Sequence, residues 1–464
     1  MAPDTVRALA SLHATLVREG PRIGPRIWPG FRPDTIATLY VIPNRAKLFA
    51  QWRDTLPSGF FPLPGVAATG WTDTRVVAFP RGRRIAFLSV DSGAAPGSVL
   101  GLALHEQFHQ LQRASAVEGR RFGAGENALL VATYPIFDVG NEAAFALEGR
   151  LLARALRARD VGAARRAARH FLAVRERRQA HLDSSIAEFE RAAELNEGLA
   201  QYALVRGLRE LARVDGTRFA TAASAAAATE VALLDSLLVV GPRSVRRRFY
   251  ATGSGVALLL DRFSDSTWKE RLIRGDETLQ QQLAAVIDYR GPDSIGDNWS
   301  PRLAAELTRL KAGAGSAVSA LATRRRVQRD SVLGLPGLRL VVDPSRLPNR
   351  RLNWCGFDPQ NTLQTAEGEL LHLRMLRLCG ADVEIVFDQA VVETRTDGAT
   401  RTIIGDTTSL RLTAGGVQST LPPEGTANEM SDLRIEGPTF TMTAARAVVA
   451  RRGGELRITP LWLH

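Results

Sequence analysis

His105, Glu106 and His109 have the residue types and spacing for one kind of chemistry. The two histidines are separated by one helical turn, so on an α-helix both imidazoles project from one face and reach a single cation. Glu106 leaves the helix one position further round, beside that face. There a carboxylate takes a proton from water polarised by the cation. The segment His105-Glu106-Gln107-Phe108-His109 is thus an H-E-x-x-H pattern, which points to a zinc centre with its own base. With seven histidines in 464 residues, its occurrence by composition alone is on the order of 1% or less.

The surrounding sequence must position these groups. Val99, Leu100, Leu102, Ala103, Leu104, Phe108 and Leu111 form an apolar run that buries the helix. Histidines and a glutamate carried inward are costly unless paired or metal-bound. Asp91–Ser98 is rich in Gly, Pro and Ser and predicts a loop, with Ser98 as the helix N-cap. Arg84–Asp91 predicts a strand just upstream.

A catalytic zinc takes three protein ligands and leaves one position open. Three downstream carboxylates qualify as the third. Glu197 lies in Glu194-Leu195-Asn196-Glu197-Gly198-Leu199-Ala200, where the small Gly198 and Ala200 let a second helix approach the metal helix closely. Glu142 lies in Gly140-Asn141-Glu142-Ala143. Glu148 shares a helix with the apolar stripe Phe145, Leu151, Leu152 and Leu156. In an arginine-rich chain Glu142 and Glu148 also read as solvated or salt-bridged helix carboxylates.

Asn196-Glu197-Gly198-Leu199-Ala200 resembles the N-E-G-[FL]-A segment of the aminopeptidase N family, in which the glutamate is the third zinc ligand. The resemblance implies that role for Glu197. Glu142 stands in a segment that resembles the N-E-A of thermolysin-like enzymes. Tyr250-Ala251-Thr252-Gly253 resembles the Tyr-x-x-Gly helix start of the aminopeptidase family, which implies that Tyr250 donates to the oxyanion of a tetrahedral intermediate. Read without the resemblance, Tyr250 is a core tyrosine at a helix start. The order of the segments matches that family, but the stretch between His109 and Glu197 is longer, as an inserted helical hairpin would make it. No G-x-M-E-N-type segment occurs in residues 60–104, so aminopeptidase specificity does not carry over. The resemblance is to the wider gluzincin class. It implies a Zn2+-dependent metallohydrolase acting on a peptide or protein, with the strand before the metal helix as the edge on which a peptide pairs. The alternative is a catalytically inactive zincin-like shell kept as a binding or scaffold protein.

Length and composition bound the rest. The chain is 45% hydrophobic and 23% charged, an ordinary globular balance long enough for two or three domains. Lys47, Lys269 and Lys311 are its only lysines among 60 basic residues. The net charge of +12 therefore reflects an arginine bias, as a GC-rich coding sequence produces. No nucleic-acid motif accompanies it, and Arg246–Arg248 and Arg324–Arg326 read as solvated helix ends. No apolar run has the length of a membrane span, and the polar N-terminus is not a signal peptide as it stands. A removed signal would place the protein in the periplasm or outside the cell; without one it would be cytoplasmic. Cys355 and Cys379 form one disulfide in an exported protein or two buried thiols in a cytosolic one.

The expected fold is α+β. Residues 4–19 predict an amphipathic helix, followed by a Pro- and Gly-rich stretch over 20–35. Thr38–Ile42, Val76–Phe79 and Arg84–Val90 predict a small sheet. Helical patterns run from residue 98 to about 328, with breaks at Gly241-Pro242 and Gly291-Pro292, and Ala220–Ala228 reads as a packed helix. Residues 1–330 form the zincin-like unit on this reading. Residues 331–464 alternate as short strands separated by Gly, Asp and Pro turns, which predicts a sandwich- or barrel-like domain in which His372 is a structural histidine.

Overall fold

The computed structural model describes residues 3–41, 47–50, 59–62, 86–90, 93–127, 129–240, 244–265, 267–292 and 301–462. The expected strand at 76–79, the first two residues of the expected strand at 84–90 and the Gly241-Pro242 break lie outside these. The fold is mixed α+β, in two compact units. One comprises Met1–Asn127 and Asp138–Gly315, the other Ala128–Phe137 and Ser316–His464. Among the described residues no helix is long and apolar enough to cross a membrane.

The first unit opens with helix α1 (Pro3–Ile27), which runs through Pro21 and Pro25 and so extends well beyond the expected end at residue 19. A four-stranded sheet follows, from β1 (Thr38–Val41), β2 (Lys47–Ala50), β3 (Gly59–Pro62) and β4 (Ala86–Ser89), in the order β3-β2-β1-β4. β4 is an edge strand of these four and runs parallel to β1, with Tyr40 opposite Leu88. The helical part then comprises α2 (Pro96–Ala114), α4 (Val139–Arg157), α5 (Val161–Gln179), α6 (Ser184–Ala193), α7 (Leu199–Val214), α8 (Gly216–Asp235), α9 (Leu237–Val240), α10 (Val245–Phe263), α11 (Thr267–Arg274) and α12 (Leu279–Val286). A short helix α3 (Leu129–Thr133) belongs to the second unit, and α13 (Pro301–Leu333) spans the division. α2 starts two residues before the expected cap. Pro96 occupies its first turn, where a missing N–H costs nothing and the fixed φ suits a helix, so Ala95 and not Ser98 is the N-cap. The expected Ala-rich helix is α8, and α4 and α5 pack against each other as a helical hairpin in the stretch between His109 and Glu197.

Charged side chains are buried between these helices as a closed network. Arg175 donates to Glu148 (2.9 Å) and to both oxygens of Glu194 (2.9 and 2.8 Å). Arg178 joins Glu148, Glu190 and Asn141, and Arg248 makes a two-pronged contact with Glu142 (2.9 and 3.0 Å). Buried charges survive only when paired in this way.

The second unit is β-rich: β5 (Leu338–Val342), β6 (Asn353–Phe357), β7 (Thr362–Gln364), β8 (Leu370–His372), β9 (Met375–Cys379), β10 (Val383–Asp388), β11 (Val392–Thr394), β12 (Thr400–Ile404), β13 (Arg411–Ala414), β14 (Val417–Ser419), β15 (Ala427–Glu436), β16 (Phe440–Arg452) and β17 (Glu455–Pro460). They form one sheet, antiparallel except where β17 meets β5, that curls into a nearly closed barrel. Alternation places Leu340, Ile385, Met442 and Ile458 in its apolar core. Cys355 and Cys379, on the paired strands β6 and β9, form a disulfide.

His372 is fully buried here, with Nδ1 3.3 Å from the Thr362 hydroxyl and its ring against Trp354. Burial pushes its pKa down to about 4. His13 in the first unit, bonded to the Tyr40 hydroxyl at 3.0 Å, is pushed down to about 4 in the same way. Both are therefore folded as neutral rings. Their contribution is complete above the unfolded value near 6.5 and is lost as pH falls from there toward 4, on the order of 3 kcal/mol each. Urea midpoints measured from pH 7 to 4.5 should fall, and fall less steeply in His372→Gln. Identical slopes would refute the assignment of His372.

Candidate metal centre

α2 carries His105 and His109 on its buried face, and three contacts fix where that face points. Gln107 Nε2 donates to the Thr38 hydroxyl on β1 at 2.8 Å. Phe108 packs edge-on against Trp28 and Phe31. Gly207 on α7 lies so close that a Cβ there would meet Leu104 at 2.4 Å. Glu197 comes from a different kind of element. Between α6 and α7 the helix widens into a π-turn over Glu194–Gly198, a local insertion that re-aims a side chain without breaking the helix.

These two elements bring three donor atoms together. The Nε2 atoms of His105 and His109 are 3.2 Å apart, and Glu197 Oε2 is 3.5 Å from each. Ligands at about 2.0–2.1 Å in tetrahedral array stand roughly 3.3 Å from one another, so the triangle has the size that zinc requires. The residues suit a cation on two further counts. Glu197 Oε2 is buried with no hydrogen-bond partner among the described residues, and an orphaned buried carboxylate oxygen is costly without a positive charge. Among the described residues the neighbourhood also holds three carboxylates, Glu106, Glu126 and Glu197, against one guanidinium, Arg246. Among the described residues this is the one group of three or more His, Cys, Asp or Glu that could hold a metal ion.

The ligands are held by neighbours of three kinds. Gln112, one turn beyond His109, accepts from His109 Nδ1 at 2.8 Å while its amide donates to the carbonyls of Leu195 (2.8 Å) and Asn196 (3.0 Å) in the π-turn. One side chain thus fixes the His109 tautomer and ties together the two elements that carry the candidate ligands. His105 is held differently: the Tyr250 ring stacks on it at 5.5 Å with planes 12° apart. Arg246, one turn before Tyr250 on α10, bridges Glu126 and Glu197 Oε1, which leaves Oε2 facing the histidines. Burial would raise the Glu197 carboxyl, but His105, His109 and Arg246 hold it well below the usual range. Burial and the nearby Glu197 charge push the Tyr250 hydroxyl well up, so it stays protonated. Gln112→Leu should weaken the affinity of this group for an added divalent metal about 10–100-fold, read by competition with a chromophoric chelator; unchanged affinity would remove Gln112 from the centre.

Several expectations are corrected here. The alternatives to Glu197 are not brought to the histidines: Glu142 is buried against Arg248, and Glu148 against Arg175 and Arg178. Arg246–Arg248 is no solvated helix end, since Arg248 is fully buried and Arg246 reaches Glu197. Gly198 does permit a close approach, but to α10 and not to the metal helix. A Cβ on Gly198 would lie 2.6 Å from Gly253 Cα, and one on Gly253 2.7 Å from the Glu194 carbonyl. The glycines of the two motifs therefore touch each other, which sets the height of Tyr250 beside the histidines. Gln112 and Arg246 were missed although both carried a signal, lying one turn from His109 and Tyr250 on the same helix faces. Glu126 sits in a loop and carried none. No family profile, curated protein or solved structure matches this chain significantly.

Proposed function

We propose that this protein is a zinc-dependent metallohydrolase of zincin-like, gluzincin type that cleaves peptide bonds. The observation that carries the reading is the meeting of Glu197 Oε2 with both Nε2 atoms at 3.5 Å, in a triangle of zinc dimensions built from segments far apart in sequence. Zinc, bound there, would supply Lewis acidity toward the attacking water and the scissile carbonyl.

The chain's own groups do the remainder. Glu106 is partly exposed and makes no hydrogen bond or ion pair with any described residue. Its carboxylate is free to take the proton from the attacking water and deliver it to the departing amine nitrogen. Tyr250, protonated and beside Glu197, donates its hydroxyl proton in a hydrogen bond to the oxyanion. Arg246 keeps Glu197 Oε1 engaged so that the ligand oxygen does not rotate away. β4, at the edge of the sheet among the described strands and packed against α2, would offer main-chain groups for an extended peptide.

The test is a metal analysis of the purified protein joined to cleavage of a diverse peptide library. One zinc per chain with chelator-sensitive cleavage supports the reading. Zinc without cleavage would mark a binding protein, and protein without stoichiometric zinc would remove the centre altogether.

A further inference from the structure

A cleft of about 640 Å³ opens between α4, α7, α8 and α10, well away from the histidines. Arg209, which lines it, lies on α7 twelve positions beyond Glu197, roughly 18 Å along the helix axis. The wall has two characters. Leu156, Val231 and Leu258 are apolar, and Arg206, Arg209 and Arg262 are cationic.

The acceptors around these guanidiniums are already taken. Arg206 pairs with Glu210 at 3.1 Å, and Glu210 also receives Arg26 and Arg213. Asp261, the acidic residue of the wall, accepts from the Tyr202 hydroxyl (2.6 Å), the Trp268 indole (3.2 Å) and Lys269 (3.3 Å). Arg157, at the rim, is matched by Asp235. Arg262 donates to the carbonyls of Ala155 and Arg159, at 3.2 and 3.0 Å, lies near enough to Asp160 to stabilise its carboxylate, and forms no direct ion pair among the described residues. Arg209 is half-buried and makes no hydrogen bond or ion pair with any described residue. Burial and the neighbouring Arg206 weaken its hold on its proton. A guanidinium presents five donors in a planar fork suited to carboxylate and phosphate oxygens. Its burial without an acceptor is a cost that a bound anion would remove.

We propose that this cleft is a second ligand site, for a small amphiphilic anion. A carboxylate or phosphate head would engage Arg209 and Arg262, and an aliphatic body would lie along Leu156, Val231 and Leu258. The volume falls in the range of sites for small molecules, about 300–1,000 Å³. The assignment is independent of the metal centre, because none of its groups touches His105, His109 or Glu197.

Octanoate, 1-octanol and inorganic phosphate separate head from body in calorimetric titrations of the full chain. Octanoate should bind at one site, with phosphate competing and 1-octanol at least tenfold weaker. Arg209→Met should lower octanoate affinity tenfold or more while melting no lower than the parent, since Arg209 makes no hydrogen bond or ion pair with a described residue and is attracted only at a distance by Asp261. Octanoate should also shield Arg209 of the unmutated protein from phenylglyoxal, read by peptide mass. Absence of octanoate binding, equal binding of 1-octanol, indifference to phosphate, or an Arg209→Met variant that binds like the parent would each overturn the proposal.

Discussion

Glu106→Gln is expected to bind zinc as the parent does and to lose peptide hydrolysis by about 10²–10⁴-fold, the range assigned to a positioned acid–base group. The amide is nearly isosteric and Glu106 makes no ion pair with a described residue, so neither fold nor ligand triangle has cause to change. His109→Ala and Glu197→Ala should behave differently. Each removes one corner of the 3.2, 3.5 and 3.5 Å triangle, so metal and hydrolysis should be lost together. The contrast is the informative part. Metal content and cleavage rate, measured on the same preparations, must separate in Glu106→Gln and move together in the other two. A Glu106→Gln enzyme of full activity would sink the mechanism.

The second large effect concerns stability. Arg175→Met should destabilise the first unit by about 3–5 kcal/mol, the usual consequence of removing one partner from a buried ion pair. Arg175 is fully buried and divides its donors between Glu148 and Glu194. Without it buried Glu194 loses the guanidinium that binds both its oxygens and Glu148 loses one of two, although Thr252 still donates to Glu194 and Arg178 still reaches Glu148. The effect should extend to the metal. Glu194 begins the π-turn whose fourth residue is Glu197, so loosening it should also weaken zinc affinity. Urea unfolding and a chelator competition on the folded variant measure the two consequences. A stability loss below about 1 kcal/mol would show that the network is dispensable.

Much of this was legible without coordinates, for reasons that are local. The H-E-x-x-H pair needs only helical periodicity to share a face, and α2 supplies it. The β-rich character of the second unit follows from period-two alternation, seen in β10 and β12 as inward Val383, Ile385 and Phe387 and inward Thr400, Thr402 and Ile404. The N-cap of α2 was misplaced because Ser98 is the better capping side chain, whereas Pro96 suits the first turn and set the boundary.

What the sequence could determine by itself was which residues were capable of holding a metal: two histidines on one helical face and a downstream carboxylate, with Glu197 favoured by its Asn-Glu-Gly context over Glu148 and Glu142. Only the tertiary structure shows which of the three lies beside the histidines. Burial forces every carboxylate to find a positive partner, and the partners are distributed by packing. Arg248 takes Glu142, and Arg175 and Arg178 take Glu148. The contact of Gly198 with Gly253 and the π-turn then leave Glu197 Oε2 as the oxygen aimed at His105 and His109. Spacing along a chain cannot express that allocation, because it depends on which helices lie side by side.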